Sequence, residues 1–73
     1  MIMKKKIYIE GMTCEHCLNR VKNTLSEIEN VNNTDVNLEE GFALIEFTGE
    51  VTDEFLTEVI DEAGYDVTKI EEI

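Results

Sequence analysis

The sequence predicts an α+β fold of order β-α-β-β-α-β, a four-stranded antiparallel sheet with two helices on one face. Three observations carry this. Several short stretches alternate apolar and polar residues at every second position, the period of a half-buried strand. Two stretches repeat apolar residues at spacings of three and four, the period of an amphipathic helix. Glycines and polar turn residues mark the junctions, and the chain has no proline.

Lys4 to Glu10 alternates, with Ile7 and Ile9 facing in, and Gly11 ends it. From Glu15, the spacing of Leu18, Val21, Leu25 and Ile28 predicts a helix, with Arg20, Lys22, Asn23 and Glu27 outside. Asn30 and the Asn32-Asn33 pair supply turn chemistry to end it. Thr34, Val36 and Leu38 make the second strand, and Ala43, Ile45 and Phe47 make the third. Glu39-Glu40-Gly41 between them is a hairpin turn. Thr52 is an N-cap, followed by Asp53 and Glu54, where carboxylates favour the helix dipole. Phe55, Leu56, Val59, Ile60 and Ala63 form the second helical stripe, and Gly64 ends it. Tyr65 to Ile70 is the last strand, with Tyr65, Val67 and Lys69 on one face; Glu71-Glu72-Ile73 carries no pattern. Leu18, Val21, Phe55 and Leu56 are expected in the core. The two βαβ halves interleave into one sheet, the ferredoxin-like arrangement, and both helices cover its one apolar face.

The 73 residues allow one small domain, residues 1–73. Seventeen acidic and six basic side chains give a net charge of −11. That balance argues against nucleic acid, whose phosphates need Lys/Arg clusters, and against anionic lipid. The basic residues gather in the first third, so the charge serves either solubility or a dipolar surface that orients a partner. Met1-Ile2-Met3 precedes three lysines, but Ile7-Tyr8-Ile9-Glu10 is too short to be the apolar core of a signal peptide. No stretch reaches the roughly 20 apolar residues of a membrane helix, so no direct membrane insertion is expected. Free neighbouring thiols without an export signal suit a reducing, cytoplasmic setting.

Both cysteines and the one histidine sit in Gly11-Met12-Thr13-Cys14-Glu15-His16-Cys17. With Cys14 in the loop and Cys17 on the first helical turn, both sulfurs face one point. A helix N-terminus promotes the thiolate, and this local effect is expected to outweigh Glu15. Structural zinc takes four ligands, and iron–sulfur clusters take four cysteines. Calcium and magnesium take oxygen ligands, which here lack any EF-hand spacing. Soft thiolates select Cu(I), among others, and two sulfurs complete a near-linear Cu(I) site open to a third. A redox C-x-x-C of the thioredoxin type is the rival, yet this chain is short and has neither Trp nor Pro.

The Gly11–Cys17 run matches the G-M-x-C-x-x-C signature of the heavy-metal-associated domain and resembles that family through to Gly64-Tyr65-Asp66. Within the family the chain is similar to bacterial copper chaperones, which deliver Cu(I) to copper-transporting P-type ATPases. The resemblance implies Cys14 and Cys17 as the metal ligands and no enzymatic activity. Thr13 fits the copper members, since zinc and cadmium members tend to have Asp there. Met12, a flexible apolar filler, is read as core that shapes the loop rather than as a ligand. His16 is read as exposed and beside the site. Tyr65 is either an aromatic plug or a shield over the thiolates. The acidic charge departs from many chaperones that use basic residues, so a basic partner is expected. The resemblance also allows an N-terminal domain excised from such an ATPase, or a mercury or zinc binder. The starting Met and the lack of flanking sequence favour the free chaperone. Two copies facing each other at the loop could share copper in a homodimer.

Overall fold

The computed structural model describes residues 2–73; Met1 lies outside the described residues, and with it the reading of the starting Met. The elements run β1 (Met3–Glu10), α1 (Glu15–Ser26), β2 (Val31–Asn37), β3 (Phe42–Phe47), α2 (Asp53–Glu62) and β4 (Asp66–Glu72). The strands form one antiparallel sheet in the order β2-β3-β1-β4. Ile7 and Ile9 of β1 and Ala43, Ile45 and Phe47 of β3 are buried, and they meet Val21 and Leu25 of α1 and Leu56 and Ile60 of α2. Apart from Ala43, each of these Val, Leu, Ile and Phe side chains contributes about 1.5–3 kcal/mol by leaving water. The alternation along the central strands and the helical stripes therefore face one shared core.

Lys5 is the polar exception near that core. Its side chain is only 12% exposed, and Nζ donates to the Val51 carbonyl at 2.9 Å and to Asp53 Oδ1 at 2.7 Å. This ties β1 to the start of α2.

Four details differ from the sequence pattern. First, α1 stops at Ser26, where the Glu27 amide closes onto Asn23 and Leu25, so Asn32 and Asn33 belong to β2 instead of the helix end. Ile28 keeps the apolar spacing and packs on the core from the connection, which is why the stripe looks longer than the helix. Second, Phe55 is 45% exposed instead of core. The stripe of α2 is narrow, with Leu56 and Ile60 taking the buried line. Leu18 is half-buried for the same geometric reason at the start of α1. Third, the β1–β4 register shifts after Tyr8, which pairs with Lys69, while Ile9 pairs with Val67. One extra residue, Thr68, breaks the alternation, so Lys69 is exposed while Val67 and Ile70 pack on the core. Fourth, Glu71 and Glu72 are not a patternless tail: they pair with Lys6 and Lys5 of β1. Tyr65 stands just ahead of β4.

No helix among the described residues is long and apolar enough to cross a membrane.

Candidate metal centre

Gly11 turns the chain out of β1 at φ +92°, in the left-handed region that favours glycine. Met12 then drops into the core, 5% exposed, and anchors the loop from below. Thr13 is exposed. Cys14 is the N-cap of α1, with extended backbone at φ −144° and ψ 167°. Its carbonyl accepts the Leu18 amide at 3.0 Å, and its Sγ accepts the Cys17 amide at 3.4 Å. An N-cap side chain reaches the amide three residues on, so a cysteine at each of these positions brings the two sulfurs together. They lie 2.9 Å apart.

Cys14 is exposed and Cys17 half-buried, and both are free thiols. His16 and Glu15 are exposed on the same turn. Among the described residues, no group of three or more His, Cys, Asp or Glu side chains converges as a metal site. The two sulfurs thus stand together without His16.

The Tyr65 phenol stands close enough to the Cys17 sulfur for each to shift the other's titration. Its ring lies against the loop, with Cδ1 3.7 Å from the position a Cβ on Gly11 would take. The Cys17 thiol is lowered from 9.0 to about 7, first by the hydrogen bond with Cys14, then by Tyr65 and by backbone hydrogen bonds from Thr13 and Cys14, against a smaller desolvation cost. The Tyr65 phenol is raised, chiefly by the neighbouring Cys17 sulfur and then by burial. Arg20, one turn beyond Cys17 on α1, pulls the phenol the other way.

Chemically, this is a soft pair with one thiolate formed near neutral pH. Bonds of about 2.3 Å from one metal, set at a tetrahedral or wider angle, hold two sulfurs farther apart than the 2.9 Å seen here. An ion entering between them spreads them, and the exposed loop position of Cys14 leaves room for it. The sequence reading took Tyr65 as plug or shield. The phenol oxygen's effect on Cys17 has no counterpart in the aromatic pattern.

The heavy-metal-associated domain pattern matches residues 6–66, a span that holds the whole Gly11–Cys17 loop and Tyr65. This chain belongs to the heavy-metal-associated domain family. Copper chaperone CopZ of Staphylococcus epidermidis is 43% identical over 65 residues, covering 88% of this chain and 96% of that protein. Among solved structures, the CopZ metallochaperone is 33% identical with a TM-score of 0.83, covering 89% of this chain and 98% of that one. A copper binding domain from HMA7, a P-type ATPase, is 29% identical with a TM-score of 0.83, covering 97% and 93%. These solved structures share the fold that presents the Gly11–Cys17 loop here.

Proposed function

We propose that this heavy-metal-associated domain is a cytoplasmic Cu(I) carrier, with Cys14 and Cys17 as the two ligands of one ion. The single observation that carries the reading is the meeting of two sulfurs with no third His, Cys, Asp or Glu beside them among the described residues. Two thiolates satisfy Cu(I) and leave zinc two ligands short. The copper chaperones among its relatives support the choice of metal.

Transfer follows from the open coordination. A thiolate of the acceptor joins the ion to give a three-coordinate intermediate, and Cys14 or Cys17 then leaves as thiolate. Copper stays Cu(I) throughout, and no covalent bond of a substrate is made or broken, so the protein is a carrier and not an enzyme. Cys14, the exposed ligand in the loop, is the one an incoming sulfur reaches first. Tyr65 covers the Cys17 side and steadies that thiolate. The acceptor is a copper-transporting P-type ATPase or a similar copper site. The likeness to the copper binding domain of a P-type ATPase supports both this acceptor and a second reading, in which the sequence is itself such a domain.

Titration of the apo protein with Cu(I), followed by X-ray absorption, tests the ligand set. The expected outcome is one ion per chain with two sulfur neighbours and no nitrogen. A nitrogen neighbour, or zinc or mercury retained in preference to Cu(I), would overturn the assignment. Sedimentation with rising Cu(I) reads out any copper-bridged homodimer.

A further inference from the structure

The face opposite the sheet carries a second feature that the metal centre does not use. An open groove of about 890 Å³ runs between α1 and α2, with Ile28, Val51 and Val59 at its floor. Phe55 stands in it, 45% exposed. Among the described residues, the other exposed large hydrophobics are Ile2, Met3 and Ile73, all near the ends of the sequence. The rim carries Glu27, Glu29, Glu50 and Glu62, against the one cation Arg20.

We propose that this groove docks a basic, amphipathic segment of the copper acceptor. An apolar side chain of that segment packs on Phe55, and its lysines or arginines meet the four glutamates. Three observations choose this occupant. A small-molecule site buries most of its ligand, whereas this groove is open to solvent, as a chain-binding groove is. An exposed aromatic between charged rims has the make-up of an interface anchor. The acidic rim selects a cationic partner and repels a second copy of a chain whose net charge is −11. Arg20, one turn from Cys17, lines one end of the groove. Naming the acceptor as the source of the segment rests on the carrier reading above; the groove itself does not.

The test uses the full chain and a synthetic amphipathic helix with lysines on one face and leucines on the other. The matching helix with glutamates for lysines is the control. NMR shifts should fall on the groove residues with the lysine helix only. E50K/E62K and Phe55→Ala should each weaken that binding about tenfold or more, equivalent to about 1.4 kcal/mol. E39K/E40K makes the same charge change in the β2–β3 turn and should weaken it far less. Equal losses in both charge variants, or shifts spread evenly over the acidic surface, would overturn the docking site. So would a concentration-dependent dimer abolished by Phe55→Ala, which would assign the groove to a second copy. Cu(I) binding is measured on the same variants. If groove variants keep copper but lose the helix, docking and metal binding are separate. If the wild type fails to hold Cu(I) yet binds the helix, the carrier reading falls and the groove stands.

Discussion

The two helices begin in the same way and to different ends. Before α1, Gly11 turns at positive φ, Met12 sinks into the core and Cys14 caps the helix by accepting the Cys17 amide. Before α2, Gly49 turns at positive φ, Val51 sinks into the core and Thr52 caps the helix by accepting the Phe55 amide. In each case the N-cap lies three residues after the glycine. The second start is built for stability. It has an oxygen acceptor at 3.1 Å, Asp53 and Glu54 in the first turn, and Lys5 holding Asp53 and the Val51 carbonyl. The first has a sulfur acceptor at 3.4 Å and no such tether. One scaffold position serves either as a fastening or as part of the proposed metal centre, and the atom at the cap makes the difference.

The largest expected difference between the two starts is in metal binding. Replacing both Cys14 and Cys17 by Ser should abolish Cu(I) binding in competition with a soft chelator. Far-UV circular dichroism should stay unchanged, because serine caps a helix at least as well as cysteine. Retained copper would show that the ligands lie elsewhere.

At the other start, Thr52→Ala should cost about 1 kcal/mol in urea unfolding, the usual loss for an N-cap hydroxyl. Copper affinity should not move. Thr52→Cys should fall between the two, since it carries the weaker acceptor of the first start. If Thr52→Cys matched wild type, the contrast between the caps would be one of reactivity alone.

The smallest effect separates Tyr65 the ring from Tyr65 the phenol. Tyr65→Phe keeps the packing on Gly11 but removes the phenol oxygen that lowers the Cys17 pKa. The Cys17 pKa should rise from about 7 part of the way towards 9.0, read as the pH midpoint of alkylation by iodoacetamide. The sign for stability follows from linkage. Cys17 is depressed in the folded apo protein, so between about pH 7 and 9.0 the unfolded chain binds more protons and stability rises with pH. The gain is complete above the unfolded value and is lost as pH falls through about 7. Tyr65→Phe should narrow that window, and an unchanged midpoint would return Tyr65 to a purely steric role.

The symmetry of the two starts was only half legible in the sequence. Thr52-Asp53-Glu54 announces a cap by residue type, whereas Cys14 does so only through its distance from the helical stripe. The alternation of Ile7 and Ile9, and of Ala43, Ile45 and Phe47, was readable because central strands bury one face completely. The pattern failed where the partner chain, not the residue itself, decides. Thr68 is an extra residue only relative to β1, so Lys69 could not be placed from β4 alone. Asn32 and Asn33 have turn chemistry yet lie in β2: Asn33 pairs with Glu46 of β3, and Asn32 is the extra residue at the register shift after Val31. Phe55 has the hydrophobicity of a core residue, and only the narrowness of the helix–helix contact shows that it stays half in water. At the candidate metal centre, the cysteine pair followed from spacing and the buried Met12 from its flexible apolar side chain, while Tyr65 acts on Cys17 across more than forty residues of chain.

The pairing of β4 with β1 has a consequence in time. Lys5 pairs with Glu72 and the Ile73 amide reaches the Lys4 carbonyl at 3.0 Å, so the central strand gains its second neighbour from residues made much later in synthesis. Such non-local contacts are slow to form. On the ribosome, Cys14 and Cys17 emerge long before Tyr65. For that interval the nascent chain presents two bare thiols and an open strand edge. The last dozen residues change both at once, bringing Tyr65 near Cys17 and closing one side of β1.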